Sequence, residues 1–278
     1  MDRVQVEGLA PVRWARSFFS QGPAVLASAV AFNLFFALVP TLVALLSMAS
    51  LLGRSEETIE QAAATFEGVL PGSVVDFILG DEGLLPEVAA YLDTSTWWVV
   101  AATLLVAVFS GARGSLTVVR ALVQIEEVEE SRPWWKVRLV GMALTMGFAV
   151  MILVGSIVLV AGGSIVEALD ADLPWLDAAA LIGIPVAGLM VLGFLEVLYR
   201  MGPPIPLPGS GLAAVLATVG ILATSMAMRW GFGVLPQPAS LALLGGVAIL
   251  LLWLYLVSWV MLVSASVGAS VARRNATT

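Results

Sequence analysis

Residues 23–52 read PAVLASAVAFNLFFALVPTLVALLSMASLL, a run with no charged side chain and only Ser28, Asn33, Thr41, Ser47 and Ser50 to give it polarity. A helix of that length is longer than the roughly 30 Å hydrocarbon core of a bilayer, and lipid offers a backbone N–H or C=O no partner. The run therefore reads as a tilted transmembrane helix, with Pro40 as an expected kink and Gly53-Arg54 as its end. It is much longer than a signal-peptide core and no small-residue cleavage site follows it, so retention in the membrane is expected.

Working outward, five more apolar runs appear at 96–112, 139–163, 178–198, 210–230 and 240–267. The expected fold class is all-α: a polytopic membrane bundle of six transmembrane helices with amphipathic interfacial helices. None of the runs alternates in polarity as a barrel strand would. Before the first span, residues 1–22 mix Trp14, Phe18 and Phe19 with Arg3, Arg13 and Arg16, which suits a helix lying on the cytoplasmic surface. The membrane domain is read as 23–274, with an extracytoplasmic helical insertion at 54–95 and a cytoplasmic tail at 275–278. In the insertion, Ser55 is an N-cap ahead of Glu56 and Glu57, and apolar residues from Ile59 to Leu70 recur at helical spacing. Pro185 is expected to bend the fourth span, and the segment 202–209, GPPIPLPG, reads as a stiff connector.

Composition agrees: 278 residues, 60% hydrophobic, 12% charged and a mean hydropathy of +0.99 exceed what one soluble core would bury. The chain has no cysteine and no histidine. Disulfides, thiolate metal sites, thiol nucleophiles and the commonest general base are thereby excluded. A net charge of −7 argues against a nucleic-acid partner. With both termini in the cytoplasm, eleven of the 13 basic residues fall on the cytoplasmic side, leaving only Arg54 and Arg229 outside. That asymmetry sets the expected orientation.

Three stretches carry a family resemblance: GPAVLASAVAFNLFFALVP at 22–40, SGARGS at 110–115, and Leu198-Tyr199-Arg200 ahead of the proline-rich connector. Together with six spans in this length they resemble the YihY/BrkB family of bacterial inner-membrane proteins over nearly the whole chain. The resemblance implies the fold and topology above. Members have been linked to serum resistance, proposed as transporters, and once labelled ribonuclease BN. A nuclease would need a cluster of metal-binding carboxylates or a histidine pair, and this sequence supplies neither.

Polar groups at membrane depth are the remaining leads, because each costs free energy unless paired or hydrated. Asn33, midway along the first span, either hydrogen-bonds another helix or lines a cavity. Arg113, Thr117, Arg120 and Gln124 share one face of a helix leaving the second span, where guanidinium groups could hold a phosphate or carboxylate or simply fix topology. Glu196 and Arg200 stand four residues apart, as a local pair or with Glu196 as a protonatable coupling group. Tyr199 is expected at the interface, and Arg229 to snorkel beside Trp230. Glu126, Glu127, Glu129 and Glu130 are expected to point around their helix axis, neutralised by Arg132, Lys136 and Arg138, and not to converge on a metal. Ala27 with Ala31 and Ala213 with Ala217 predict close helix packing.

The leading expectation is a transporter or lipid-handling protein for an amphiphilic or anionic substrate. The alternative is a non-catalytic envelope scaffold that binds a partner through its outer segment. No enzymatic activity and no cofactor are expected. The partners are membrane lipids, an anionic lipid or a small solute, and a second copy of the chain in a homo-oligomer.

Overall fold

Apolar runs bounded by glycine, proline and charge dictate where the helices of this protein start and stop. The computed structural model describes residues 10–51, 97–168, 178–233 and 242–276, and within them all regular structure is helical. The order is α1 (Ala10–Ser20), α2 (Pro23–Leu51), α3 (Trp97–Ile125), α4 (Trp134–Ala168), α5 (Ala178–Met201), α6 (Ser210–Gly233) and α7 (Ala242–Asn275). The insertion expected at 54–95 lies outside the described residues, as does most of the acidic loop before α5.

Gly22 separates α1 from α2. Its φ of 65° is one that a Cβ disfavours, and its carbonyl accepts from Val25 N at 3.0 Å to open α2, with Pro23 at the first position, where its missing N–H costs nothing. The axes of Trp14–Ser20 and Pro23–Ala37 differ by 54°, so α1 joins α2 at a bend and is not its straight continuation. Trp14 and Phe18 stack at 5.5 Å and Phe18 meets Trp259 of α7 at 5.8 Å, while Trp14 Nε1 donates to Ser266 Oγ at 3.0 Å.

Each long helix packs on the next in sequence, and α7 returns to pack on α2, closing the six into a ring. A further contact between α7 and α3 crosses that ring. Small residues let the backbones approach, and Ala27, Ala31, Ala213 and Ala217 are all buried. One close approach of backbones is Gly209 to Gly268: a Cβ on Gly268 would lie 2.9 Å from the Gly209 carbonyl oxygen and 2.8 Å from Ala213 Cβ. The SGARGS stretch places Gly111 against Thr145 of α4 and Gly114 within 3.6 Å of the Asn33 carbonyl of α2, measured from where a Cβ would be. Its serines tie the same helices: Ser110 Oγ donates to Phe36 O at 3.2 Å, and Ser115 Oγ meets Thr145 Oγ1 at 3.0 Å.

Among the described residues, Ser210–Gly231 and Gly245–Asn275 are long and apolar enough to cross a membrane, and α1 with the first half of α2 passes the same test as a bent pair. The other spans read from the sequence fall partly on side chains outside the description. Pro185 sits inside α5, and α2 runs through Pro40 as one helix to Leu51. Tyr199 departs from expectation. Near the end of α5 it is fully buried among the helices, where its hydroxyl donates to the Met261 carbonyl at 2.9 Å, and does not face outward from the bundle.

Candidate functional site

The site is built on the turn between α3 and α4. The α3 helix ends in a Schellman pair, Val128 N to Val123 O at 3.0 Å and Glu127 N to Gln124 O at 3.2 Å. This pair puts Glu127 at φ 53°, a place usually given to glycine. The reversal fans the glutamates apart, as their spacing implied. Glu126 pairs with Arg273 at 3.0 Å, Glu127 accepts from Gln21 Nε2, and Glu130 pairs with Arg132 at 2.8 Å. The neutralising partner of Glu126 is therefore α7, not the neighbouring basic residues of its own segment. Among the described residues no group of three or more carboxylates could hold a metal ion.

Arg132 is the keystone of this turn. Its Nε and Nη2 both donate to the Glu130 carboxylate at 2.8 Å, and Nη2 also donates to the Gly202 carbonyl at 2.8 Å, joining the turn to the connector after α5. Gly202 accepts this because nothing larger fits: a Cβ there would strike the Leu198 carbonyl and stand 3.1 Å from Val119. The paired donors of Arg132 hold the Glu130 carboxyl below the usual carboxylate range, and Glu130 in turn keeps the guanidinium more firmly protonated.

Behind this staple a groove of about 460 Å³ runs between the end of α3 and the start of α4. Arg120, Gln124, Arg132 and Arg138 give it donors, Glu130 adds the carboxylate that Arg132 pairs with, and Leu116, Val123, Trp134 and Val137 give it an apolar wall. Arg138 also lies over the Phe109 ring at 5.4 Å. Arg132 has its Nε and Nη2 engaged by Glu130 and Gly202, and Arg120 and Arg138 bring two further guanidinium groups to the groove. Donors beside an apolar wall suit an anionic head joined to an apolar body. The groove holds no histidine, thiol or hydroxyl nucleophile.

Of the residues singled out in the sequence, Arg120 and Gln124 come together here. Arg113 is exposed on the same helix and is not part of the groove lining, and Thr117 turns back to donate to the Arg113 carbonyl at 2.9 Å. Asn33 donates to Ala29 O of its own helix at 2.8 Å, so its amide nitrogen neither bridges to a second helix nor needs a cavity. Glu196 and Arg200 form the local pair, joined by Ser210, whose Oγ donates to Glu196 at 3.0 Å and accepts from Arg200 at 3.3 Å. In the sequence, Arg132 and Arg138 read as cytoplasmic charge that neutralises the glutamates, a role Arg132 fills at Glu130, but not as lining of a groove. The signal that could have raised them is the Arg132-Pro133-Trp134-Trp135 turn, which confines basic and aromatic groups to one short reversal.

A second groove, of about 430 Å³, lies under α1 between the ends of α3 and α7. Trp14, Phe18 and Ile125 form one side of it, and Ser17, Ser266, Ser270, Glu126, Glu127 and Arg273 bring the polar groups. The Glu126 side chain is 3% exposed, and burial pushes its carboxyl up from the usual value against the opposing pull of Arg273.

Comparison with known proteins gives one match: the family described as Virulence factor BrkB, over residues 16–278. No curated protein and no solved structure matches the chain.

Proposed function

The chain belongs to the BrkB virulence factor family of membrane proteins, and from that premise we propose that it binds an anionic amphiphile in the groove between α3 and α4, as a transporter or lipid-handling protein of the bacterial inner membrane. The observation that carries this reading is the pairing of Arg120 and Arg138 with the apolar wall of Leu116, Val123, Val137 and Trp134. A phosphate or carboxylate head would meet the guanidinium groups while its chain follows the wall toward the exposed outer face of α4. Without histidine or cysteine the chain is read as non-catalytic.

The accompanying topology is six spans with both termini cytoplasmic. It draws on the positive charges, which place the α3–α4 turn and the end of α7 on the cytoplasmic side. Reporter fusions at the α3–α4 turn and in 54–95 test it: cytoplasmic fluorescence at the first and phosphatase activity at the second are expected.

Native mass spectrometry of the protein extracted with its surrounding lipid tests the binding reading. Wild type should retain a defined anionic lipid or solute that Arg120→Glu/Arg138→Glu loses. Equal, nonspecific lipid release from both would overturn it. The scaffold reading draws on the backbone-close packing of α6 on α7 around Gly209 and Gly268, which suits a rigid platform. It would then take precedence, with a partner for the outer segment sought by cross-linking.

A further inference from the structure

The outer face of α3 changes character along its length. Val106, Phe109, Arg113, Thr117, Arg120 and Gln124 follow one another at intervals of three or four residues, so they form one stripe on the helix. α3 meets α2 at Ser110 and Gly114 and α4 at Gly111 and Ser115, and the buried Leu122 lies on the opposite side of the helix. The stripe therefore faces outward between α2 and α4, and its members are exposed except for the half-buried Thr117. Arg113 lies well inside the span. A Cβ on Gly141 would stand 3.0 Å from the Ala112 carbonyl oxygen, so Arg113 is level with a residue seven positions into α4. That is about 10 Å below Trp134, the exposed aromatic that opens α4. Side chains tilt toward the N-terminus of their helix, which in α3 points away from the cytoplasm, so Arg113 is poorly placed to snorkel back. Among the described residues neither Arg113 nor Arg120 belongs to an ion pair. Arg138 is also drawn inward: Phe109, whose ring it covers, lies beyond Ala112, whereas Arg138 itself lies short of Gly141. Cations at this depth are costly unless an anion or water comes to them.

We propose that this stripe is a track along which the phosphate of a membrane phospholipid leaves the cytoplasmic headgroup layer and enters the bilayer, while its acyl chains stay in the surrounding lipid. Gln124 and Arg120 receive the phosphate at the mouth, and Arg113 takes it over about 10 Å farther in, two helical turns along the same face. Guanidinium groups suit this hand-over because their paired donors match phosphate oxygens and they keep their charge at any depth. Beyond Phe109 the stripe returns to Val106 and is apolar, so the track lowers the cytoplasmic half of the barrier to movement between leaflets. The inference rests on the topology and the lipid-handling reading above, and goes beyond them in placing a path for lipid on the outside of α3, apart from the groove.

The test places the full-length protein in vesicles of phosphatidylcholine and phosphatidylglycerol that contain phosphatidylglycerol with a fluorophore on one acyl chain. Dithionite added outside bleaches the outer leaflet at once, so the later loss of fluorescence reports passage between leaflets; vesicles loaded with a soluble dye check that dithionite stays outside. Wild type should speed that loss about tenfold or more over protein-free vesicles, since one charge-assisted contact near the top of the barrier is worth that much in rate. Arg113→Leu should remove most of the acceleration and Arg113→Lys should keep it. Arg113 is exposed, so the leucine variant should unfold at the wild-type midpoint, and Arg113→Gln replaces it if it does not. No acceleration by wild type, or an acceleration that a folded Arg113→Leu or Arg113→Gln retains, overturns the proposal. Because Arg113 lies outside the groove, its leucine variant should still retain the lipid that Arg120→Glu/Arg138→Glu loses. Lipid retained by wild type without acceleration overturns the track alone, and acceleration that depends on Arg113 without retained lipid overturns the groove alone.

Discussion

The Tyr199 hydroxyl donates to the main-chain carbonyl of Met261 at 2.9 Å, so a side chain of α5 is hydrogen-bonded to the backbone of α7 in the bundle interior. Tyr199→Phe keeps the ring and removes that one bond. Met261 lies well inside α7, where a helical carbonyl also has its own N–H partner, so the expected loss is about 1 kcal/mol. Tyr199→Ala also leaves a cavity and should cost about 3–5 kcal/mol. Unfolding midpoints in nanodiscs check both, and a Phe variant as damaged as the Ala variant would show that the hydroxyl, and not ring packing, dominates.

The approach of Gly268 to Gly209 makes a second prediction. A methyl at Gly268 would press on the Gly209 carbonyl and on the backbone nitrogen of Ala213, neither of which can rotate away. Gly268→Ala should therefore cost about 1–3 kcal/mol by overpacking. At Gly147, where a Cβ meets nothing within 4 Å, the same substitution should be neutral or slightly stabilising because alanine favours helix. A comparison of the two midpoints separates packing from helix propensity.

Glu127 holds a left-handed backbone that its side chain disfavours. Glu127→Gly should stabilise the fold by about 1 kcal/mol, slightly offset by the exposed bond from Gln21. Glu127→Ala loses the bond without relieving the backbone, so it should fall below wild type. The order Gly above wild type above Ala is the expected result by thermal unfolding.

Glu126 and Glu130 titrate with opposite effects on stability. The Glu126 carboxyl is raised from 4.5, chiefly by burial, so the folded state holds its proton more tightly than the unfolded chain. Its contribution is fully present at acid pH and is lost as pH rises through the raised value. Glu130 is lowered from 4.5, chiefly by its hydrogen bonds from Arg132, so its contribution is present above the ordinary value and lost as pH falls through the lowered one. Glu126→Gln should gain on wild type as pH rises from acid to neutral, whereas Glu130→Gln should lose over the lower part of that range. Parallel pH profiles for the two variants would contradict this assignment.

Much of the fold could be read from hydrophobic length alone, because a bilayer-length run such as 23–52 leaves the backbone no stable form but helix. The family, too, was legible in SGARGS, whose glycines and serines turn out to sit where α3 passes closely between α2 and α4. The candidate site was legible only in part. Helical spacing put Arg120 and Gln124 on one face, but periodicity says nothing about what the next helix brings opposite, so Arg138 and the stapling role of Arg132 were missed. The burial of Tyr199 was hidden for a related reason: an amphipathic ring near a span end gives no sign of which carbonyl its hydroxyl will meet. The partner of Glu126 was hidden because Arg273 belongs to the last helix, far outside any local window.

Closure of the ring by α7 on α2 bears on how the protein is made. The bond from Trp14 to Ser266 joins positions 252 residues apart, and α2 has its second neighbour only when α7 arrives. The early-made α2 therefore meets this neighbour only after α7 has been synthesised. A chain that stops before α7 leaves α2 without one of its two long-helix neighbours. The ring is therefore completed only once α7 has been synthesised.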